Sequence, residues 1–213
     1  GCELDVRITR DSVLVLFHNP KLEGRTTCGG KVYEQSWNDI SSCVYSGIHS
    51  NINILRLDSL FSRIKNLNDF YFSLDCKLYE DLAYDIHYRK IFLSSIKKLC
   101  DKYSMGNNVF IEGDLGFLML AKEIGLNSKA VLIGGNIDQA AENDLFGIGF
   151  DTNISRDSIE YAHSKGIYVI MWGANTDLGN KKALSLNPDI LQTDKPIPLL
   201  MLLDRMNYEA SVP

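Results

Sequence analysis

Short apolar runs alternate with longer mixed segments along the chain, and this pattern predicts strands separated by helices. Each apolar run holds roughly four to eight residues and is bounded by turn-forming residues, as is typical of buried strands. The predicted strands occupy residues 2–8, 13–17, 70–74, 109–111, 130–133, 145–150, 168–172 and 189–192. None of these runs approaches the roughly 18 apolar residues that a membrane-spanning helix needs.

The segments between the later strands carry helical signals. Ile91, Ile96 and Leu99 recur at roughly helical spacing. Ser155 stands at a favourable N-terminal capping position, and Gly166 stands where that helix would end. The predicted helices occupy residues 91–102, 115–124, 138–143, 155–165 and 197–206.

Strands that alternate with helices favour an α/β fold with a parallel sheet. About seven such units favour a TIM (β/α) barrel over an open sheet, and we predict a single domain over residues 1–213. A complete barrel takes about 250 residues, so we expect the first strand–helix unit to be missing from the N-terminal side. The chain contains no GxGxxG or GxxxxGK[ST] motif, which argues against dinucleotide-binding and P-loop folds.

The composition is that of an ordinary globular protein. Hydrophobic residues make up 45% and charged residues 23%, which excludes a disordered chain. The net charge of −5 argues against a nucleic-acid binder, because such proteins are usually basic. An acidic protein can still bind a phosphate group through a metal or a few cationic side chains. We therefore expect a small-molecule partner, no nucleic acid and no transmembrane segment.

Five cysteines are widely spaced along the chain. They are Cys2, Cys28, Cys43, Cys76 and Cys100, and no CxxC pair occurs among them. An odd count without close pairs argues against a disulfide framework and against a structural zinc site. We expect all five to be free thiols, which weakly favours a reducing compartment such as the cytoplasm.

Two acids near the start of the chain share one face of a predicted strand. Residues two apart point the same way, so Glu3 and Asp5 lie side by side, about 7 Å apart along the strand. Neighbouring carboxylates repel each other, and a divalent cation between them removes that repulsion. Oxygen ligands suit Mg²⁺ or Ca²⁺. The alternative is a strand face that is simply solvated.

A predicted hairpin brings a histidine to the same place. Asp11 and Ser12 lie between two alternating apolar runs and can form a two-residue turn. With that turn the strands pair antiparallel, Asp5 faces His18, and opposed residues share a face. The register is decisive, because a shift of one residue moves His18 to the apolar side.

Several short motifs follow one another in a recognisable order. They are Glu3-x-Asp5-Val6, Thr9-x-Asp11, Val15-x-x-His18 and Arg25-Thr26-Thr27, then Asp75-Cys76-Lys77, Trp172-x-x-Asn175 and Thr193-Asp194-Lys195-Pro196. Together they resemble the glycerophosphodiester phosphodiesterase family of the phospholipase C-like phosphodiesterase superfamily. The match is colinear and spans nearly the whole chain.

The resemblance implies a metal-dependent hydrolase on a TIM barrel, which cleaves glycerophosphodiesters to glycerol 3-phosphate and an alcohol. The implied ligands of one divalent cation, Mg²⁺ or Ca²⁺, are Glu3, Asp5 and Asp75. By the same resemblance, His18 is one of two catalytic histidines. Lys77 would contact the phosphate, and Trp172 would line the substrate pocket.

The chain also departs from the family pattern. The opening His-Arg-Gly motif, which supplies the first catalytic histidine, has no counterpart, and we expect it just upstream of Gly1. The chain as given is therefore expected to be inactive or nearly so. Asn19 replaces an acid that often follows the histidine, and Asp75 is one methylene shorter than the family's Glu.

Other titratable residues have plainer interpretations. His87 is the one plausible substitute for the missing histidine, whereas His49 and His163 are expected at the surface. Glu112 and Asp114 repeat an acid pair at a strand end, and we expect them to be loop acids.

Two further functions stay open. One is a non-catalytic relative that binds a metal or a phosphate ligand. The reading frame before Gly1 would discriminate it from the enzyme, because only the enzyme needs a catalytic histidine there. The other is a related phosphodiesterase acting on lipid head groups such as those of inositol lipids or sphingolipids, against which residues 25–27 argue mildly.

Overall fold

The computed structural model describes residues 1–47 and 52–205. The chain divides into two compact units, one over Gly1–Ala130 and one from Val131 onward. No described helix is both long and apolar enough to cross a lipid bilayer. The interpretation of residues 1–213 as a single domain stays a prediction.

The strands of the first unit are β1 Cys2–Ile8, β2 Leu14–Leu16, β3 Leu55–Arg56, β4 Phe72–Cys76 and β5 Val109–Gly113. They lie in the order β3, β2, β1, β4, β5. β1, β4 and β5 run parallel, whereas β2 pairs antiparallel with both β1 and β3. Val6 and Ile8 of β1 are buried, so one face of this strand is committed to the core and the other carries the acids.

The two longest described helices of the first unit are capped by aspartate side chains. Their bounds are α1 Trp37–Ile40, α2 Leu57–Phe61, α3 Ile86–Tyr103 and α4 Leu115–Glu123, with 3-10 turns at Val32–Glu34, Leu67–Asp69, Glu80–Leu82 and Gly106–Asn108. α3 begins where Asp85 accepts a hydrogen bond from the Tyr88 amide, and α4 begins at Asp114 in the same way. The rings of Phe92 and Phe117 pack between these two helices with centroids 6.3 Å apart.

The second unit repeats strand and helix in turn. Its strands are β6 Lys129–Leu132, which straddles the division of the chain, β7 Gly147–Asp151, β8 Tyr168–Trp172 and β9 Ile190–Leu191. Its helices are α5 Ile137–Glu142, α6 Arg156–Ser164, α7 Asp177–Ser185 and α8 Pro196–Leu202. Neighbouring strands β6 to β9 pair in parallel. Each of these strands is followed by a helix, as the alternating pattern predicts.

Most predicted elements are present, with ends shifted by a few residues. β1 and β8 have the predicted bounds. The sequence pattern does not predict α7, because that helix has little apolar periodicity. One of its two buried residues is Asn180, whose side-chain amide donates to the carbonyl of Lys195 at 3.3 Å. The short elements α1, α2 and β3 are also not predicted.

The β1–β2 hairpin has a register one residue away from the predicted one. Val6 pairs with Leu16, and the amide of Phe17 donates to the carbonyl of Asp5 at 3.1 Å. The predicted pairing of Asp5 with His18 is therefore wrong, because the buried Phe17 lies opposite Asp5.

The shift arises in the turn, which has three residues rather than two. The Thr9 amide donates to the Val13 carbonyl at 3.0 Å, so Arg10, Asp11 and Ser12 form the loop. Ser12 has a φ of +63°, as the last residue of a three-residue hairpin loop usually requires. The carboxylate of Asp11 accepts a hydrogen bond from the Thr9 hydroxyl at 2.5 Å, which fixes this conformation.

A disulfide joins Cys28 and Cys43, so the expectation of five free thiols is wrong for this pair. Cys2, Cys76 and Cys100 are free. The two joined sulfurs lie in a layer over the hairpin whose buried residues are Val15, Phe17, Leu22, Val32, Ile40, Cys43 and Ile54. Sequence spacing did not indicate the pair, because folding of the intervening segment brings the cysteines together. The argument for a reducing compartment therefore loses its basis.

Reduction of this disulfide is expected to destabilise the protein. The bond closes a loop with a sequence separation of 15 residues, for which loss of the cross-link costs about 3 kcal/mol. That corresponds to a melting temperature lower by about 6 to 12 °C for a chain of this size. Calorimetry with and without dithiothreitol measures the effect. The Cys28→Ala/Cys43→Ala variant should melt low in both conditions, and an unchanged wild-type melting temperature in reductant would contradict the prediction.

Candidate active site

Carboxylates from three neighbouring parallel strands lie in one row. Asp5 of β1 is in register with Asp75 of β4, and Asp75 is in register with Glu112 of β5. Paired residues of adjacent strands point to the same face of a sheet. Glu3 precedes Asp5 by two residues on that face of β1. The strand register therefore concentrates four acidic side chains in the first unit.

Glu3, Asp5 and Asp75 converge closely enough to hold a cation. One carboxylate oxygen from each lies within 4.8 Å of the others. Metal–oxygen distances are about 2.0 to 2.6 Å for Mg²⁺ and Ca²⁺, so ligand oxygens on opposite sides of such an ion lie about 4 to 5 Å apart. The spacing of these three carboxylates matches that requirement.

Lys77 lies between two of these carboxylates. Its ammonium nitrogen is 2.5 Å from Asp75 Oδ2 and 3.1 Å from Asp5 Oδ1. The hydrogen bonds to these carboxylates raise the pKa of Lys77 against the opposing effect of burial. An ammonium group has three N–H donors, so one remains for a further acceptor.

The fourth acid, Glu112, is a strand residue and not a loop acid as the sequence suggests. The residue is 8% exposed, and the Ser73 hydroxyl donates to its Oε1. Asp114, the other expected loop acid, caps α4 and forms an ion pair with Arg89. Of these two acids, Glu112 therefore belongs to the carboxylate row of the candidate site, whereas Asp114 caps α4.

Crowding of the carboxylates changes the chemistry of Glu3. Its pKa is raised to about 7, first by burial and then by the negative charges of Asp5, Asp75 and Glu112. The Lys77 ammonium lowers it only in part. Since a bound cation would reverse this electrostatic penalty, the cluster is suited to a positive charge that the protein itself does not fully supply.

His18 is exposed and lies two residues beyond the end of β2. Its backbone is fixed to β1 at two points: the preceding amide of Phe17 donates to the Asp5 carbonyl, and the His18 carbonyl accepts from the Arg7 guanidinium. The group of converging ligand atoms consists of three carboxylates and does not include the imidazole. The role of His18 as a proton-transfer residue therefore stays a prediction.

Trp172 lies at the end of β8 in the second unit. A Cβ at Gly149 would come within 2.6 Å of the Trp172 ring, so the glycine on β7 makes room for the indole. The segments that follow β8 and β9 contact each other beyond the ends of these strands. Asn175 and Asp194 exchange hydrogen bonds, from the Asn175 side-chain amide at 2.6 Å and from the Asp194 backbone amide at 2.9 Å. This pairing ties the segment after β8 to the segment after β9.

The remaining histidines do not join the carboxylates in the part of the chain that the structure describes. His87 is exposed on α3. His163 lies 2.9 Å from Asp189 on the second unit. His49 falls outside the described residues.

A comparison with protein-family models gives a match over most of the chain. The model of the glycerophosphoryl diester phosphodiesterase family matches residues 1–197.

The chain belongs to this family.

Membership places the protein among the phosphoric diester hydrolases and confirms the family resemblance drawn from its motifs. No curated protein sequence gives a match.

Solved structures of phosphodiesterases share the fold. A protein from Silicibacter pomeroyi assigned as a glycerophosphoryl diester phosphodiesterase superposes with a TM-score of 0.86 at 17% identity, over 95% of this chain and 82% of that one. An Oleispira antarctica phosphodiesterase in complex with the product sn-glycerol-3-phosphate gives a TM-score of 0.82 at 15% identity, over 95% and 84%. A glycerophosphodiester phosphodiesterase from Parabacteroides distasonis gives 0.82 at 14% identity, over 96% and 83%. The predicted α/β fold of TIM-barrel type is confirmed.

Two residues of the candidate site in this chain were not assigned to it from the sequence. Arg7 continues the face that carries Glu3 and Asp5, and strand alternation alone indicates that position. Glu112 could have been recognised from the parallel register, which aligns it with Asp75. Both signals depend on knowing that these segments are strands with these bounds.

Proposed function

We propose that the protein is a metal-dependent hydrolase that cleaves glycerophosphodiesters to glycerol 3-phosphate and an alcohol. The observation that carries this proposal is the convergence of Glu3, Asp5 and Asp75, whose carboxylate oxygens lie within 4.8 Å of one another. The family membership supports the substrate class, and the described complex of the Oleispira antarctica relative with sn-glycerol-3-phosphate supports the product.

Glu3, Asp5 and Asp75 would hold one divalent cation. Their hard oxygen donors suit Mg²⁺ or Ca²⁺. When bound, such an ion neutralises negative charge that builds on the phosphate oxygens. The raised pKa of Glu3 reflects the negative charge of its neighbours, which the ion would offset.

Lys77 would bind a phosphate oxygen through its remaining N–H. Two of its donors are directed at Asp5 and Asp75, so the third can reach an acceptor placed beside the carboxylates. This arrangement would orient the phosphodiester at the site and add positive charge next to it.

His18 would transfer the proton that the leaving alcohol requires. Hydrolysis forms a bond between phosphorus and a water oxygen and breaks the bond between phosphorus and the alcohol oxygen. The water loses a proton in this reaction, and the departing alcohol oxygen gains one. An imidazole can donate or accept a proton near neutral pH, and such catalysis contributes about 10² to 10⁴-fold. The substrate-lining role that the family motif implies for Trp172 stays a prediction.

A panel of glycerophosphodiesters tests this function. The protein expressed from its complete reading frame is incubated with glycerophosphocholine, glycerophosphoethanolamine, glycerophosphoglycerol and glycerophosphoinositol, and release of glycerol 3-phosphate is measured. We expect release from at least one of them. Sphingomyelin and phosphatidylinositol form a second arm, and turnover there alone would instead indicate a lipid head-group phosphodiesterase. Cation binding without turnover of any substrate would indicate a non-catalytic relative.

Removal of the cation is expected to abolish turnover. The carboxylates of Glu3, Asp5, Asp75 and Glu112 outnumber the Lys77 ammonium that pairs with them, so the phosphate would meet net negative charge without the ion. Dialysis against EDTA should remove activity, and added Mg²⁺ or Ca²⁺ should restore it. Zn²⁺, which favours nitrogen and sulfur ligands, serves as a comparison. Full activity in EDTA would contradict the metal requirement.

A further inference from the structure

We propose that Arg7 is a positioning residue that sets the relative placement of His18 and Lys77. This inference rests on the proposed function for its effect on catalysis. Arg7 lies on the same face of β1 as Glu3 and Asp5, and it is 5% exposed. Burying a guanidinium costs free energy of folding unless hydrogen bonds satisfy its donors. The hydrogen-bond partners of Arg7 therefore indicate its structural role.

The guanidinium donates to the backbone on both sides of the candidate site. Its Nε and Nη2 donate to the His18 carbonyl at 3.0 and 2.6 Å. Its Nη1 donates to the Lys77 carbonyl at 2.8 Å. One planar group therefore joins the segment after β2, which carries the candidate proton-transfer residue, to the segment after β4, which carries the candidate phosphate ligand.

An aromatic residue holds the guanidinium in place. The Arg7 carbon Cζ lies 4.8 Å from the centroid of the Tyr79 ring, a distance at which a cation is attracted to the ring face. The Tyr79 hydroxyl in turn donates to the Pro20 carbonyl at 2.6 Å and accepts from the Val32 amide at 3.0 Å. The clamp of Arg7 and Tyr79 thus also fixes the chain that leads away from His18.

The hydrogen bonds of Arg7 favour a role in positioning the backbone over direct binding of substrate. Three of its five N–H donors are directed at two backbone carbonyls, and its fork is nearly withdrawn from solvent. Lysine could not reproduce the arrangement, because its ammonium is a point charge without the rigid fork. The effect on the reaction is therefore expected through placement of His18 and Lys77, since misplacement by about 1 Å can lower a rate about 100-fold.

The Arg7→Lys variant tests the proposal, with Arg89→Lys as its matched control. Arg89 is 6% exposed, donates to the Ala83 carbonyl and lies over the rings of Tyr84 and Phe117, so its burial and its backbone and ring contacts resemble those of Arg7. It differs in also pairing with the Asp114 carboxylate, and we expect both variants to lose thermal stability. Only Arg7→Lys should lower kcat, by about 100-fold, with little change in KM or in cation affinity measured by calorimetry.

Chemical rescue gives a second readout. In Arg7→Ala, millimolar guanidinium chloride should restore part of kcat, because the free ion can occupy the vacated space and donate to the same carbonyls. It should restore nothing in His18→Ala. A kcat of Arg7→Lys within twofold of wild type, or equal kcat losses in Arg7→Lys and Arg89→Lys, would overturn the proposal.

The proposal can fail separately from the proposed function. If protein expressed from the complete reading frame releases no glycerol 3-phosphate, the proposed function fails, while hydrogen exchange still tests the clamp of Arg7 and Tyr79. Arg7→Lys should then increase amide exchange around residues 17–22 and 77–79 relative to Arg89→Lys. Unchanged exchange in both segments would overturn the positioning role irrespective of activity.

Discussion

Replacing Glu3 with Gln is expected to remove cation binding and, at the same time, to stabilise the metal-free protein at pH above 7. Gln keeps the shape of the side chain but removes one of the three converging carboxylates. Because the charge count of oxygen ligands sets cation affinity, we expect a loss of about 100-fold or more. Turnover of glycerophosphodiesters should fall with it.

The gain in metal-free stability follows from the pKa of Glu3. That pKa is raised from 4.5 to about 7 by burial and by Asp5, Asp75 and Glu112. Between these values the folded protein holds a proton that the unfolded chain has released, so stability falls as pH rises through this window. Above it Glu3 is ionised at a cost, and Gln avoids that cost. The stability of Glu3→Gln should therefore vary less with pH from about 4.5 to 7.

Thermal melting in EDTA and with added cation distinguishes these effects. A cation at 100 times its Kd should stabilise wild type by about 2.7 kcal/mol, and Glu3→Gln should show almost no shift. Glu160→Gln, which removes the same charge from an exposed position on α6, is the control and should behave like wild type. A Glu3→Gln protein that still gains stability from the cation would show that Glu3 is not a ligand.

Replacing His18 with Ala is expected to remove turnover while leaving the fold and the cation site in place. The side chain is exposed, and the hydrogen bonds that anchor this residue use its backbone. Loss of a proton-transfer group should lower kcat by about 10² to 10⁴-fold. The melting temperature and the stabilisation by cation should remain close to those of wild type.

Two other histidine variants complete the measurement. His163→Ala removes a histidine paired with Asp189 in the second unit, and it should retain activity even if stability falls slightly. His87→Ala tests the one histidine that the sequence offers as a substitute for the missing first catalytic histidine. Loss of activity in this variant would indicate that His87 takes part in proton transfer beside His18. Unchanged kcat in His18→Ala would contradict the assignment of His18.

Local patterns in the sequence were sufficient to predict the fold class and the acid face of β1. Strand alternation places Glu3 and Asp5 together, and the late strand–helix repeats indicate a parallel α/β sheet. The family resemblance added Asp75 and Lys77, and the structure brings both to the same carboxylates. These parts were predictable because side-chain periodicity and short motifs are properties of contiguous residues.

Only the tertiary structure decided how distant segments meet. The hairpin register depends on the backbone of Ser12, whose positive φ makes a three-residue turn and moves His18 out of its predicted pairing with Asp5. The pairing of Cys28 with Cys43 depends on the fold of the segment between them. The hydrogen bonds from Arg7 to the backbone after β2 and β4 likewise arise from strand pairing across the chain. Sequence periodicity specifies which face a residue occupies, but the register of a hairpin also depends on the geometry of its turn, and contacts between distant segments depend on packing across the fold.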